Sequence, residues 1–310
     1  MNLMKVVRIN GYGAAHVIEQ VPVPEIGADE VLVRVKAASL NPLDLLLQSG
    51  KRREIFPLSF PYTLGTDLAG TVERAGPLAA RWRRGDQVVA RLAPGRGGAL
   101  ADFAVVPAAS LAQAPAELPL DSLAGVPTAA GTAWQALFET GHLQAGQSVL
   151  VHAAAGGVGS FAIQLARIAG ARVSATASGS GVELARQLGA AQVIDYRSDD
   201  FSEKLSEIDL VLDPVGGETQ QRSFAVLRAG GTLVATASPP DEALAQRYKV
   251  TASRVFHQSD GSRLGLIMGL LNTGALKVLV DRQVTLPDLA DAFQHLASCR
   301  ARGKIIVCIS

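Results

Sequence analysis

The first third of the chain shows the alternation of apolar and polar side chains that is typical of β-strands. Across residues 30–36, Val31, Val33 and Val35 fall on one face of an extended chain, which predicts a half-buried strand. Gly and Pro interrupt the pattern on both sides, as they do at turns. Further short strands are predicted at residues 71–73 and 87–90.

From about residue 122 the pattern changes to an alternation of apolar strands and amphipathic helices. An apolar run at 149–153 is followed at once by glycines, and residues 158–169 then place apolar side chains on one helical face. Additional strands are predicted at 172–176, 192–195, 210–213, 232–236 and 250–255, with a helix at 182–188 among them. Strand–helix alternation predicts a parallel sheet with helices on both faces.

The last fifty residues do not continue this alternation. They read as a long helix ending near Gly274, a short strand at 278–280, a helix starting near Pro287 and an apolar strand at 304–309. We therefore expect this segment to pack on the first part of the chain. The predicted domains are 1–121 together with 259–310, and 122–258, in a protein of the α/β class.

Charge and cysteine content exclude several classes of protein. The 310 residues carry 29 Lys and Arg against 28 Asp and Glu, a balance that argues against nucleic acid or an anionic membrane as the main partner. Cys299 and Cys308 are too few for a disulfide framework and lack the spacing of a zinc site. Without a recognisable signal peptide or a membrane-length apolar run, a cytoplasmic protein is expected.

A glycine-rich segment follows the apolar strand at 149–153. Its glycines would let the backbone approach a pyrophosphate, and the start of the next helix would supply free N–H groups and a positive dipole end. Ala153 stands where the fingerprint usually has its first glycine, so the alternative is a tight turn without a ligand. The predicted cofactor-binding residues of this loop are Ala155, Gly156, Gly157, Val158 and Gly159.

The segment after the second strand of this domain favours NADPH over NADH. NADH-binding proteins usually carry an acidic residue there for the ribose 2′-hydroxyl. Here the first carboxylate is Glu183, and Ser178 offers a hydroxyl to a 2′-phosphate without repulsion. Arg197, next to Tyr196 after the third strand, could supply a positive charge, although it could equally be a solvated surface residue.

Several motifs together resemble the quinone oxidoreductases, a zinc-independent branch of the medium-chain dehydrogenase/reductases. The segment Val151-His152-Ala153-Ala154-Ala155-Gly156-Gly157-Val158-Gly159 resembles their nucleotide loop. Other similar segments are Asn41-Pro42-Leu43-Asp44, residues 61–70, Val193-Ile194-Asp195-Tyr196, Asp213-Pro214-Val215-Gly216-Gly217 and Arg302-Gly303-Lys304-Ile305. The resemblance implies a GroES-like domain, partly a β-barrel, a Rossmann domain with a doubly wound parallel sheet, and a cleft between them.

The resemblance also indicates the chemistry. Zinc-containing relatives have a Cys near residues 38–41 and Gly-His-Glu in place of Gly65-Thr66-Asp67, so no metal is expected here. Hydride transfer from NADPH to a quinone or an activated alkene is the predicted reaction. The alternatives are a 2-alkenal or enone reductase with little quinone activity, and an NADPH-binding sensor or structural protein without turnover.

Four residues of the first predicted domain, and Thr128 at the start of the second, are candidates for the site. The resemblance places Asn41 near the nicotinamide. Tyr62 is expected as a hydroxyl donor, and Asp44 as a helix cap or supporting residue. The resemblance places Thr128 on the cofactor, and Lys304 could reach the cofactor or remain a surface lysine. Asn41 could instead end a strand, and Tyr62 could be structural.

The carboxyl ends of the parallel strands should line the cofactor in the second domain. Ser178 and Ala237 lie at such ends, and the backbone of Phe256 and His257 follows the last strand.

An exposed edge strand at 250–255 could pair with a second copy, and the resemblance is compatible with a homodimer.

Overall fold

The computed structural model describes residues 2–309. The chain divides into two compact units, one that runs to Thr128 and resumes at Ser259, and one that comprises Ala129–Gln258. The domain limits given above stay a prediction, because a compact unit and a domain need not end at the same residue.

The strands, in chain order, are β1 (Leu3–Ile9), β2 (Val17–Pro22), β3 (Glu30–Leu40), β4 (Tyr62–Thr63), β5 (Asp67–Ala75), β6 (Gln87–Arg91), β7 (Phe103–Pro107), β8 (Leu111–Gln113), β9 (Ser148–Val151), β10 (Arg172–Ala177), β11 (Gln192–Asp195), β12 (Ile208–Asp213), β13 (Leu227–Ala235), β14 (Thr251–Arg254), β15 (Val280–Thr285) and β16 (Lys304–Cys308). The helices are α1 (Pro42–Gln48), α2 (Leu120–Leu123), α3 (Pro127–Trp134), α4 (Gly157–Ile168), α5 (Ser180–Gln187), α6 (Phe201–Lys204), α7 (Gly217–Ser223), α8 (Glu242–Tyr248), α9 (Gly261–Asn272) and α10 (Leu289–Ala297). Helix α3 continues as π-helical turns over Gln135–Thr140.

The discontinuous unit is built on a sheet in the order β15-β16-β3-β5-β6-β8, with β7 also paired to β3, and on a smaller sheet β2-β1-β4. Val31, Val33 and Val35 are fully buried in its core, as their alternation predicted. The last strand, β16, pairs antiparallel with β3. This pairing confirms that the end of the chain packs on its first part.

The second unit is a six-stranded parallel sheet in the order β11-β10-β9-β12-β13-β14. Numbered within the unit, this is the order 3-2-1-4-5-6 of the doubly wound dinucleotide-binding fold. The order reverses at β9, whose neighbours are β10 and β12. The predicted Rossmann topology is therefore confirmed, and ligands of such sheets bind outside the carboxyl end of the strand where the order reverses.

The predicted strand at 278–280 is wrong in position. Strand β15 begins at Val280 and extends to Thr285, paired parallel with β16. Its sequence, Val-Asp-Arg-Gln-Val-Thr, has no apolar run of its own, so the pairing partner rather than the local pattern defines the strand. The five strands β1, β2, β4, β7 and β8 were also absent from the prediction.

Candidate active site

The glycine loop joins β9 to α4 at the point where the strand order reverses. Ala153 has a φ of 48°, a left-handed conformation that is unfavourable for alanine. Gly156 is the N-cap of α4, and the N–H groups of its first turn have no acceptor within the helix. A Cβ atom on Gly159 would lie 2.3 Å from the Ala153 carbonyl oxygen, so only glycine lets helix and strand approach this closely. The loop fits a pyrophosphate, since the first N–H groups of α4 have no intrahelical acceptor and the glycines carry no side chain that would keep a phosphate away.

His152 fixes the strand end directly before the loop. Its buried imidazole lies 2.9 Å through Nδ1 from Thr176 Oγ1 and 2.9 Å through Nε2 from Ser223 Oγ. Ser223 Oγ donates its hydrogen to the Thr219 carbonyl, so it must accept from Nε2–H, and Nδ1 accepts from Thr176. The ring also meets Phe201 edge to face. Burial is the main cause that lowers the pKa of His152, to about 4, which keeps it neutral.

The ends of β10 and β11 bring together the residues predicted for the 2′-phosphate. Ser178 Oγ donates to Tyr196 Oη at 3.0 Å. Asp195 turns inward to the loop backbone, where its carboxylate accepts from the N–H of Gly179 at 3.3 Å and of Arg197 at 3.0 Å. The arrangement places the hydroxyls of Ser178 and Tyr196 together. The exposed Arg197 directly follows Tyr196 in the chain. The Asp195 carboxylate is engaged by these backbone donors.

The other predicted residues of this unit lie after β13 and β14. Arg254 connects two of them, since its guanidinium donates to the Ala237 carbonyl at 3.4 Å and lies 4.4 Å from the centre of the Phe256 ring. The His257 imidazole packs on Gly131 of α3, where a Cβ would lie 2.3 Å from its Cε1 atom. The structure thus holds all three at one end of the sheet.

In the discontinuous unit, the Asn41 side chain lies between two buried charges. The Lys304 ammonium donates to Asn41 Oδ1 at 2.6 Å and to the Leu40 carbonyl at 2.9 Å. Asn41 Nδ2 donates to Asp67 Oδ2 at 3.0 Å. Lys304 is 4% exposed, which rules out the surface alternative for this lysine. Burial is the main cause that lowers its pKa, against the opposing effect of Asp67 and Asp44.

Asp67 is in turn held by Thr128 and Arg91. Thr128 donates to Asp67 Oδ1 through its hydroxyl at 2.6 Å and to Oδ2 through its backbone N–H at 3.1 Å. Arg91 Nε donates to Thr128 Oγ1 at 3.0 Å, and its NH1 donates to Ser259 at 3.3 Å. Asn41, Asp67, Arg91, Thr128 and Lys304 therefore form one buried network, hereafter the Asn41 network.

Asp44 caps α1 and lies beside this network. Its Oδ2 accepts from the Asn41 backbone N–H at 2.7 Å, which is the capping role expected from its position. The side chain is 1% exposed, and Oδ1 has no hydrogen-bond partner among the described residues. Burial, reinforced by the charge of Asp67, raises the pKa of Asp44 to about 7, although the Asn41 N–H, Lys304 and Arg91 lower it.

Tyr62 occupies a closed position. Its hydroxyl donates to the Pro94 carbonyl at 2.6 Å, and the side chain is 3% exposed. A Cβ on Gly97 would lie 2.6 Å from the hydroxyl oxygen, so the backbone covers it closely. Burial, followed by the charge of Asp44, raises the pKa of Tyr62 far above its ordinary value. The hydrogen bond to the Pro94 carbonyl favours a structural role for Tyr62.

Asp67 and Arg91 were not among the predicted site residues. Asp67 had been compared only with a zinc ligand, in the triplet Gly65-Thr66-Asp67. The register of β5 and β6 places Asp67 directly opposite Arg91, and that of β3 and β5 places it opposite Ser39. Arg91 directly follows the predicted strand at 87–90, but Asp67 lies before the predicted strand at 71–73, so the observed strand pairing is needed to bring the two charges together.

Neither a cluster of metal ligands nor a membrane-spanning helix is present within residues 2–309. Within residues 2–309 the structure shows no group of three or more His, Cys, Asp or Glu side chains that could hold a metal ion. Across the same residues, every helix falls short of the length and apolar character needed to cross a membrane.

The sheet order and the glycine loop define a dinucleotide-binding unit, the other unit has a mostly antiparallel sheet, and comparison with known proteins identifies the family. Residues 27–116 match the model of the alcohol dehydrogenase GroES-like domain, and residues 188–307 match that of zinc-binding dehydrogenases. The quinone-oxidoreductase QR1, chloroplastic, of Triphysaria versicolor is 32% identical, over 98% of both chains. The NADPH-dependent alkenal/one oxidoreductase, chloroplastic, of Arabidopsis thaliana is 35% identical, over 98% of this chain and 79% of that protein.

Solved structures indicate the same family. The quinone oxidoreductase from Coxiella burnetii superposes with a TM-score of 0.92 at 28% identity, with all of both chains covered. The chain belongs to the quinone oxidoreductase-like family of medium-chain dehydrogenase/reductases, and it is an oxidoreductase.

Proposed function

We propose that this protein is a zinc-independent reductase that transfers hydride from NADPH to a quinone or to an activated alkene. The observation that carries the proposal is the start of helix α4 after Gly156, where the N–H groups of the first turn have no acceptor within the helix, next to the strand at which the sheet order reverses. The acceptor class is supported by relatives named quinone oxidoreductase, alkenal/one oxidoreductase and 2-methylene-furan-3-one reductase.

NADPH is the cofactor that the residues and the family both indicate. Ser178 and Tyr196 place two hydroxyls after β10 and β11, and Asp195 is bound to the backbone of Gly179 and Arg197. A 2′-phosphate would find donors there and no free carboxylate. Relatives named NAD(P)H oxidoreductase and NADPH-dependent alkenal/one oxidoreductase are consistent with this choice.

The residues do not fit a catalytic zinc ion, although one matching family model is described as zinc-binding. Thr66 replaces a histidine, and a hydroxyl is not among the usual zinc ligands. Both oxygens of Asp67 accept hydrogen bonds, from Asn41 and from Thr128. We therefore assign no step of the reaction to a metal.

In this reaction the chain's own residues bind the cofactor, orient the acceptor and stabilise the charge that develops on it. NADPH supplies the hydride when it is bound, and transfer to a quinone or enone leaves negative charge on the acceptor oxygen. Preorganised donors that meet this charge lower the barrier. Asn41 is the proposed donor, because the Asn41 network fixes its amide beside a buried ammonium. The loop from Gly156 to Gly159 holds the pyrophosphate, and Ser178 holds the ribose end.

The test is the oxidation of NADPH, and separately of NADH, by the purified protein in the presence of a chelator. Benzoquinones, naphthoquinones, 2-alkenals and cyclic enones serve as acceptors, and formation of the reduced product is measured alongside loss of absorbance at 340 nm. Chelator-resistant turnover with NADPH is expected. If only enones and alkenals are reduced, the protein is an alkenal/enone reductase. Saturable binding of NADPH without reduction of any acceptor would contradict an enzymatic role and favour a sensor.

We further propose a cytoplasmic homodimer. Strand β14 is at the edge of the parallel sheet, where its open side could pair with a second copy. Cys299 and Cys308 are free thiols, as is usual in a reducing compartment. Sedimentation at micromolar concentration should give the mass of two chains, and cell fractionation should place the protein with cytosolic markers. A monomer, or a membrane or organelle fraction, would exclude the corresponding part.

A further inference from the structure

We propose that Lys304 and Asp67 are positioning residues that hold the Asn41 amide in one orientation, so that one N–H is presented to the oxygen of the acceptor. This inference rests on the proposed function and adds to it the residues on which the donor depends. Asn41 itself would contact the acceptor, whereas Lys304 and Asp67 act through it.

The orientation follows from the charges at the two ends of the amide. The oxygen of Asn41 accepts from the Lys304 ammonium at 2.6 Å, and its nitrogen donates to Asp67 at 3.0 Å. A rotation of the amide by 180° would place NH₂ against the ammonium and the carbonyl oxygen against the carboxylate. Both contacts would then be repulsive and buried, where the loss of a charge-assisted bond is most costly. Only the observed orientation is stable.

Asp67 cannot turn away, because it is itself fixed. Thr128 donates to both of its oxygens, at 2.6 and 3.1 Å. The Thr128 hydroxyl, which gives its hydrogen to Asp67, accepts from Arg91 Nε at 3.0 Å. Three donors thus converge on a fully buried carboxylate, one of them supported by a buried guanidinium.

Lys304 is equally fixed. Ile305, the residue after Lys304, pairs with Leu40 in the β16–β3 register. This pairing brings the Lys304 side chain to the end of β3. The ammonium donates to the Leu40 carbonyl at 2.9 Å as well as to Asn41. A Cβ on Gly125 would lie 3.0 Å from Lys304 Cβ, so the glycine leaves room for the start of the lysine stem.

Holding the strands together does not require these charges. Backbone pairing already joins β3 to β5 and to β16. A buried ion pair is often no more stabilising than apolar residues of the same size, so a purely structural role is a weak reason for it. Fixing a polar group in one orientation is a role that apolar residues could not fill. Asp67 accepts one of the two amide hydrogens, and the second is the one that the oxygen of a bound acceptor can accept.

A double-mutant cycle tests the inference. Asn41→Ala and Lys304→Met are made singly and together, and kcat, the KM for the acceptor and the Kd for NADPH are measured for each. We expect each single variant to lose about 10- to 100-fold in kcat, the range that a small misplacement costs. The double variant should be no slower than Asn41→Ala, because Lys304 acts through Asn41. The Kd for NADPH should change little in all three variants. Lys277→Met, on an exposed lysine of the same unit, serves as the control.

Independent losses that multiply in the double variant would overturn the inference. So would a Lys304→Met protein that is only less stable and keeps its kcat. Asp67→Asn, which keeps the size of the side chain, is tested in the same cycle with Asn41→Ala and decides the question by the same criteria if Lys304→Met does not fold.

A second readout needs no catalysis. In the ligand-free protein, the side-chain hydrogen of Asn41 that is bonded to the Asp67 carboxylate should resonate downfield of ordinary asparagine side-chain hydrogens in ¹H–¹⁵N spectra. Lys304→Met should move this resonance towards ordinary values, as the side chain begins to rotate about its Cβ–Cγ bond and the bond to Asp67 is lost. Unchanged resonances would contradict the positioning role. If the wild type reduces no acceptor, the proposed function fails; if it does and the cycle is additive, only this inference fails.

Discussion

The ammonium of Lys304 lies 2.6 Å from the side-chain oxygen of Asn41, although 263 positions separate the two residues along the chain. Strand β16 returns from the end of the chain to pair with β3 and brings them together. The site in this unit therefore depends on a long-range strand pairing, and several consequences can be measured.

The glycine at position 159 should be irreplaceable by alanine. A Cβ there would lie 2.3 Å from the Ala153 carbonyl oxygen and 2.8 Å from Ala154 Cα. We expect Gly159→Ala to lower the free energy of unfolding by about 1–3 kcal/mol, as overpacking does, and to weaken NADPH binding. Urea denaturation and fluorescence titration measure the two effects.

Gly265→Ala is the matched control, because Gly265 is inside helix α9 and a Cβ there meets nothing within 4 Å. That substitution should stabilise the protein by up to about 1 kcal/mol. Equal effects of the two substitutions would show that the close approach of loop and helix is unimportant.

A carboxylate at position 178 should weaken the preference for NADPH. Ser178 follows β10 and bonds Tyr196 at 3.0 Å, where the 2′-phosphate is proposed to bind. Repulsion between a carboxylate and a phosphate about 4 Å apart is worth roughly 1 kcal/mol or more, so Ser178→Asp should raise the Kd for NADPH about tenfold while the Kd for NADH changes little. Ser178→Asn, of the same shape without charge, should largely keep the preference. Parallel losses for both cofactors would argue against a phosphate site at Ser178.

Tyr62 should prove structural. Its hydroxyl already donates to the Pro94 carbonyl at 2.6 Å in a buried position. Tyr62→Phe leaves that carbonyl unpaired and should reduce stability by about 1–2 kcal/mol. The value of kcat should stay within about threefold of the wild type, whereas loss of a proton donor would cost roughly 10²–10⁴-fold. A loss of that size, at unchanged stability, would restore Tyr62 as the proton donor.

Asp44 should make the protein less stable as the pH rises. Its pKa, about 7 in the folded chain, lies above the ordinary value of 3.8, mainly because of burial. Between these values the folded state binds more protons than the unfolded state, so the free energy of unfolding falls as the pH increases from about 4 to about 7. Asp44→Asn keeps an acceptor for the Asn41 N–H and removes this dependence. Its advantage over the wild type should therefore be larger at pH 8 than at pH 4.

Asp29→Asn, at an exposed turn, should show no such trend. An advantage of Asp44→Asn that is independent of pH would mean that Asp44 ionises normally in the folded protein.

His152 should make the protein less stable as the pH falls below the ordinary histidine pKa of 6.5. Its folded pKa of about 4 is below the ordinary value of 6.5, mainly because of burial. The unfolded state then binds more protons between these values, so stability is lost as the pH falls from about 6.5 to about 4. His152→Gln should remove this part of the acid dependence and lose about 1–3 kcal/mol at neutral pH, because Thr176 and Ser223 lose their partner. An unaltered acid profile would show that His152 is not the titrating group.

Local patterns predicted the second unit well. The apolar run before Gly156, the helix after it and the later strands each have a short-range signal, and a parallel sheet follows from their alternation. The position of β15 could not be predicted in the same way, because its sequence is largely polar and its pairing with β16 defines it. The same reason explains why Arg91 was missed, since nothing near it in the chain marks it as a partner of Thr128 and Asp67.

The sequence alone determined the glycine loop, the absence of a carboxylate between Ser178 and Glu183, and the residue types at Asn41 and Lys304, since each of these is written in a few adjacent positions. Tertiary structure alone decided that Lys304 is buried, that Asp67 faces Arg91 and that both amide ends of Asn41 are engaged. The physical reason is that strand register sets which distant side chains meet, and burial then decides whether their charges must be paired.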